Sequence, residues 1–266
     1  MFLLAAALYA STGFLQFPAT EEIGALSAVA IGPKDEIYVL HRGPKPLMAF
    51  DAAGKFLRSS GAGMFEVPHG LRVDRAGNVW TTDNKNNLVR KFTPQGELLF
   101  TLDLAFKAPD DIVFTSRGDI VIADAGYARI IVSSPHGHVI RSWGSKGKGD
   151  AQFAAAHGLA IDAKDRIYVA DRGNNRVQVF ELSGKHVASW TGFGNPFGLL
   201  VVNGELLVSD GDANRMSHLT LDSGRINAQW GDGDTLKLPH LMAVDSKGTL
   251  YVAEVDGKRV QKFQRR

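Results

Sequence analysis

Six segments of the chain repeat one grammar, and that internal periodicity restricts the fold more than any other feature. The segments begin LSAVAIGPKDEIYVLHRG, HGLRVDRAGNVWTTDNKN, DDIVFTSRGDIVIADAGY, HGLAIDAKDRIYVADRGN, FGLLVVNGELLVSDGDAN and HLMAVDSKGTLYVAEVDG, and they recur at a spacing of about 40 to 47 residues. Each passes from a short apolar strand through a turn rich in Asp, Gly, Lys or Arg to a strand of alternating apolar residues. Ile167 and Val169, or Leu250 and Val252, show the alternation, which ends on an acidic or polar residue. Further strands follow, as at 177–180 and, beyond a Ser-Gly turn, at 186–190. Four short strands per repeat make a propeller blade, and no stretch carries a helical period. The expected fold is therefore all-β, a six-bladed propeller whose closed ring hides the sheet edges. The last repeat stops after its third strand, at 263–266, so the N-terminal segment 13–17 is expected to supply the missing fourth strand and fasten the ring.

With 44% hydrophobic residues and no shift of composition along the chain, residues 11–266 read as a single domain. A formal net charge of +2, with basic residues scattered, gives no footprint for nucleic acid. The chain has no cysteine, which removes disulfides, thiolate zinc sites and cysteine nucleophiles. Any metal must be held by His, Asp or Glu. The opening MFLLAAALYA reads as the remnant of a secretory signal without its basic n-region, and points to a secreted or periplasmic protein; an ordered N-terminal strand or a cytoplasmic start is the alternative. The run falls short of the roughly 20 apolar residues that a membrane span needs. A monomer is expected.

Aligning the repeats on the residue at the start of the first strand gives a column of Ser27, His69, Asp110, His157, Phe197 and His240. The histidines fall on repeats two, four and six, about 120° apart in a six-fold ring. That is how such a ring would build a facial tri-histidine metal site, for zinc first and iron or manganese behind. Three protein ligands would leave a position for water or substrate. Three histidines that merely fill the channel or cap turns are the plainer alternative. His136, His138 and His186, at outer turns, and His218, in an outer strand, read as surface residues.

A second column, at and just beyond the end of the second strand, shares the same mouth because the first two strands are antiparallel neighbours. It holds Arg42, Tyr127 and Arg172. A metal could lower the phenol pKa of Tyr127 and let it act as a base, and the two arginines could grip a carboxylate. Pairing with a neighbouring Asp, or packing over a loop, would explain the same residues structurally. Asp171, Asn174, Asn175 and Arg176 read as turn and scaffold positions.

The stretch ADRGNNRVQVF, 170–180, resembles the NHL-repeat signature. Over nearly its whole length the chain also resembles the peptidyl-α-hydroxyglycine α-amidating lyase family. YVLHRG, FEVPHGLRVD with NVWTTD, ADAGYARI, HGLAID with YVADRGNNRVQVF, and LPHLMAVD carry that likeness. The resemblance implies that His69, His157 and His240 bind a catalytic zinc, that Tyr127 is the base, that Arg42 orients the substrate and that Arg172 is a second arginine of the site. It implies cleavage of the C–N bond of a peptidyl-α-hydroxyglycine to an amide and glyoxylate. Leu241 stands where the family commonly places a calcium-binding Asp, so no calcium site of that type is expected. Tyr168 and Ala128 stand where animal members have half-cystines. Two other functions suit the same ring: a zinc hydrolase for an ester, lactone or phosphotriester, and a non-catalytic NHL propeller that binds a peptide or protein.

Overall fold

Short alternating segments separated by Asp, Asn and Gly turns favour narrow antiparallel sheets, and the described residues form six of four strands each, beside a two-stranded parallel pair of Ser145–Lys146 with Gln152–Phe153. The structure, a computed structural model, describes residues 9–231 and 235–266. From the axis outward, the first strands of blades 1 to 6 are Leu26–Ile31, Pro68–Val73, Pro109–Phe114, Ala156–Ile161, Pro196–Val202 and Pro239–Val244. Each pairs antiparallel with the next strand in sequence, and so on outward. Asp74, Asp162 and Asp245 shape the inner hairpins of blades 2, 4 and 6 by accepting backbone N–H groups two and four residues on.

The ring is fastened as expected, but earlier in the chain. Tyr9–Phe14, not 13–17, is the outermost strand of blade 6, paired antiparallel with Arg259–Arg265. Tyr9 and Ala10 therefore belong to the propeller. The rest of the expected leader, residues 1–8, lies outside the described residues. No described helix is long and apolar enough to cross a membrane.

The core is six apolar layers, one between each pair of neighbouring blades. Trp80 of blade 2, for example, packs with Ile112 and Ile122 of blade 3. A fully buried large side chain of this kind stabilises by about 1.5–3 kcal/mol, so the layers fix the angle of each blade and the position of its first strand.

Buried ion pairs fasten blades 2 to 6 near one mouth. The second strands of blades 2 to 6 end in Asp83, Asp124, Asp171, Asp210 and Glu254, all fully buried. They pair with Arg90, Arg129, Arg176, Arg215 and Arg259 of the third strands. Each also accepts a backbone N–H from the segment leading into its own first strand. Two further buried carboxylates, Asp111 and Asp162, pair with Arg72 and Arg166. His218, expected at the surface, is instead buried, with Nε2 2.9 Å from Glu205 Oε2. Its strand packs between two others, which the outer-strand assignment missed.

Blade 1 breaks the pattern, with His41 in place of the acid. Its Nδ1 accepts N–H groups of Gly24 at 3.2 Å and Gly43 at 3.0 Å, and burial holds its pKa below the ordinary histidine value. The unfolded chain then binds the proton more readily, so His41 stabilises the fold above its unfolded pKa of about 6.5 and loses that contribution as pH falls below it. Urea unfolding at pH 7.5 and 5.5 should show His41→Gln losing less stability than wild type on acidification. Equal losses in the two proteins would remove His41 from the account.

Candidate metal centre

All six first strands carry a register shift near their start, between Leu26 and Ala28, Pro68 and Leu71, Pro109 and Asp111, Ala156 and Leu159, Pro196 and Gly198, and Pro239 and Met242. A bulge of this kind re-aims a side chain. Every residue of the predicted column lies inside one.

The structure brings the three histidines together. The ring centroids of His69, His157 and His240 are 4.8, 4.9 and 4.9 Å apart, with interplanar angles of 73°, 72° and 83°. One ligand atom from each lies within 4.8 Å of the others. This near-threefold arrangement comes from blades 2, 4 and 6. All three side chains are buried.

Each imidazole is oriented by the blade that follows it. His69 Nδ1 lies 2.8 Å from the carbonyl of Asp110, His157 Nδ1 2.9 Å from that of Phe197, and His240 Nδ1 2.5 Å from that of Ser27. A carbonyl only accepts, so Nδ1 carries the proton and Nε2 keeps its lone pair. This is the outer-shell arrangement that prepares a histidine ligand. The HG dipeptides have a physical reason here: a Cβ on Gly158 would meet the Phe197 carbonyl oxygen at 2.2 Å, and one on Gly70 the Asp110 oxygen at 2.7 Å. The glycine admits the same carbonyl that holds the preceding histidine.

Burial, helped by mutual repulsion, pushes the pKa of His157 and His240 well below the ordinary value, which leaves both neutral and able to donate a lone pair. Nε2 of His157 is buried and makes no hydrogen bond. An orphaned ring nitrogen facing two other imidazoles is costly in an empty protein and natural for a metal ligand. The donor set fits a divalent ion of the zinc, iron or manganese kind.

Arg42 and Arg172 both reach the column. Arg42 Nε donates to Ser27 Oγ at 3.3 Å, and the Arg172 guanidinium lies 4.3 Å from the centre of the Phe197 ring. Phe197 in turn packs against His157 and His240 at 5.0 and 5.4 Å. Among the described residues no hydrogen bond or ring contact links Tyr127 to the column. It sits on the short turn Ala125–Tyr127, 54% exposed, with Lys107 and Arg129 over its ring at 5.7 and 4.9 Å. Leu241 is fully buried in the apolar layer between blades 1 and 2.

Two participants escaped the sequence reading. Asp110 was in the column, yet received no role. Its carboxylate is buried, accepts from Asn84 Nδ2, and stands 3.9 Å from His69 Nε2. Burial raises its pKa, against the pull of His69, Asn84, Arg172 and Arg42. Asn84 follows the end of its second strand directly, so the second column could have flagged it.

An all-β ring of six blades with three imidazoles converging at one mouth defines a propeller with a candidate metal centre. The NHL-repeat profile matches residues 65–92 and 153–180. NHL repeat-containing protein 3 of Mus musculus is 31% identical, over 85% of this chain and 75% of its own length. The chain belongs to this family of NHL-repeat proteins. The peptidylglycine alpha-amidating monooxygenase of Rattus norvegicus is 28% identical over 90% of the chain, which spans only 30% of that protein. Peptidyl-alpha-hydroxyglycine alpha-amidating lyase 1 of Drosophila melanogaster is 30% identical over 85% of the chain and 50% of its own length. Among solved structures, a streptogramin B lyase superposes with a TM-score of 0.72 at 12% identity, covering 98% of this chain and all of that one, a likeness of fold.

Proposed function

We propose that the chain is a metal-dependent lyase of the amidating type, releasing an amide and glyoxylate from an α-hydroxyglycine amide on a peptide or small molecule. The observation that carries this reading is the set of three Nδ1-anchored imidazoles with two arginines beside them, in a chain similar to named amidating lyases. A zinc ion, or iron(II) or manganese(II), held by His69, His157 and His240 would supply Lewis acidity toward the substrate hydroxyl.

The remaining steps belong to side chains. Arg42 and Arg172 hold the carboxylate that becomes glyoxylate, and the stack on Phe197 keeps the Arg172 guanidinium in place. A base removes the hydroxyl proton as the C–O bond becomes a carbonyl. The C–N bond breaks, its electron pair goes to the amide nitrogen, and that nitrogen takes a proton. The reaction needs no oxidant and consumes no water. Tyr127 is the candidate base, on a turn that follows the second strand of blade 3 at the same mouth.

The test is glyoxylate release from α-hydroxyhippurate. Arg42→Ala and Arg172→Ala should each lower kcat/KM by about 10- to 100-fold, the worth of a charge-assisted hydrogen bond. Tyr127→Phe should cost about 100-fold or more, and an unchanged kcat would remove it as the base. A metal-loaded protein that hydrolyses aryl esters or phosphotriesters and yields no glyoxylate is the hydrolase; one that holds no metal and turns over neither substrate is a binding propeller.

A further inference from the structure

We propose that Asp110 is a fourth metal ligand, so that the mouth presents three imidazole nitrogens and one carboxylate oxygen. The inference rests on the reading of the histidine cluster as a metal site and goes beyond it.

Asp110 lies in the bulge of blade 3, between the blades of His69 and His157, and the same local kink that aims those rings at the axis aims this carboxylate. It is the one acidic residue of the column, whose other non-histidine members are Ser27 and Phe197. Its Oδ1 stands 3.9 Å from Nε2 of His69, one of the three histidine donors.

Every other buried carboxylate among the described residues is ion-paired with an arginine. Asp110 has none within ion-pair distance, and its nearest basic neighbour is the ring of His69. A buried carboxylate that feels Arg42 and Arg172 only from beyond ion-pair distance is costly enough to favour a cation in direct contact. Arg42 and Arg172 are turned instead toward Ser27 and Phe197. A divalent ion among the imidazoles would supply the missing charge at the place where the carboxylate is buried. Asn84, hydrogen-bonded to the carboxylate, is then an outer-shell group that orients a ligand.

The chemical consequence is specific. A hard oxygen donor moves the site away from the pure imidazole set that suits four-coordinate zinc and toward metals that accept mixed nitrogen and oxygen ligands, iron(II) and manganese(II) foremost. With four protein ligands, room for substrate requires five or six positions.

Cobalt(II) tests this because its visible absorption reports coordination number. Metal-free wild-type protein, Asp110→Asn and His157→Ala are titrated with cobalt(II), with circular dichroism to confirm folding. The expected result is a weak five- or six-coordinate spectrum in wild type. Asp110→Asn should give a more intense four-coordinate spectrum and bind about 10- to 100-fold more weakly. An infrared carboxylate band of the wild type should also shift on cobalt(II) addition, a readout that needs no variant. A spectrum unchanged in Asp110→Asn, with or without a change in affinity, overturns the proposal, because a nearby charge alone alters affinity and not coordination. Loss of binding in His157→Ala beside an unchanged Asp110→Asn leaves the tri-histidine site standing without the fourth ligand. No cobalt(II) binding by the wild type removes both.

Discussion

His157→Ala is expected to abolish stoichiometric metal binding while the propeller stays folded. The ring of His157 is held between His69 and His240 at centroid distances of 4.8 and 4.9 Å, and its unbonded Nε2 faces them. Removing it takes away one of three nitrogen donors and lowers affinity by more than the roughly 10- to 100-fold that loss of an outer-shell partner costs. The fold loses less, because the Phe197 carbonyl is left without its imidazole at a cost of about 1–3 kcal/mol. Metal content per chain, measured by elemental analysis beside circular dichroism, separates the two effects. Gly158→Ala should reach the same end by another route: its Cβ would lie 2.2 Å from the Phe197 oxygen, so blade 5 must move off the carbonyl that orients His157. One equivalent of metal retained in His157→Ala would mean that the histidines are not the ligands.

The ring and the column were legible because both follow from period. Strand alternation and evenly spaced turns dictate four-stranded blades, and blade alternation places His69, His157 and His240 around one axis. The exact closing strand was less legible: residues 9–14 and 13–17 are both short, mixed segments, and only the partner strand Arg259–Arg265 selects the register. The placement of Tyr127 was hidden for a related reason. A column defined by sequence says which mouth a loop occupies, whereas the direction of a side chain on a short helical turn depends on neighbours such as Lys107 and Arg129. His218 was misread because its burial depends on strands from the same blade and on Glu205. Asp110 differed again. Its position was visible, but that it lacks the arginine partner of the other buried carboxylates among the described residues appears only when the ion pairs of the blades are compared.

The largest effect on stability is expected from Asp171→Ala, a residue that touches no ligand. Asp171 is fully buried and accepts four hydrogen bonds: from the Ala154 N–H at 2.9 Å, Asn174 Nδ2 at 2.7 Å, Arg176 Nε at 2.8 Å and Gln178 Nε2 at 3.1 Å. Alanine strands the Arg176 guanidinium, itself nearly buried, with only the carbonyls of Gly149 and Gln152 to satisfy it. Breaking one side of such a pair costs about 3–5 kcal/mol. For a chain of this size that lowers Tm by about 10 °C. Replacing both partners, Asp171→Ala with Arg176→Leu, should recover part of the loss, because no uncompensated charge is then left inside. A single variant that melts within about 1 °C of wild type would refute the account. The effect also reaches the mouth. Arg172 follows Asp171 directly, on a turn closed by Asn175 in the left-handed conformation. Loosening that turn should free Arg172 from Phe197, so a folded Asp171→Ala protein should bind an α-hydroxy acid more weakly even though the histidines are intact.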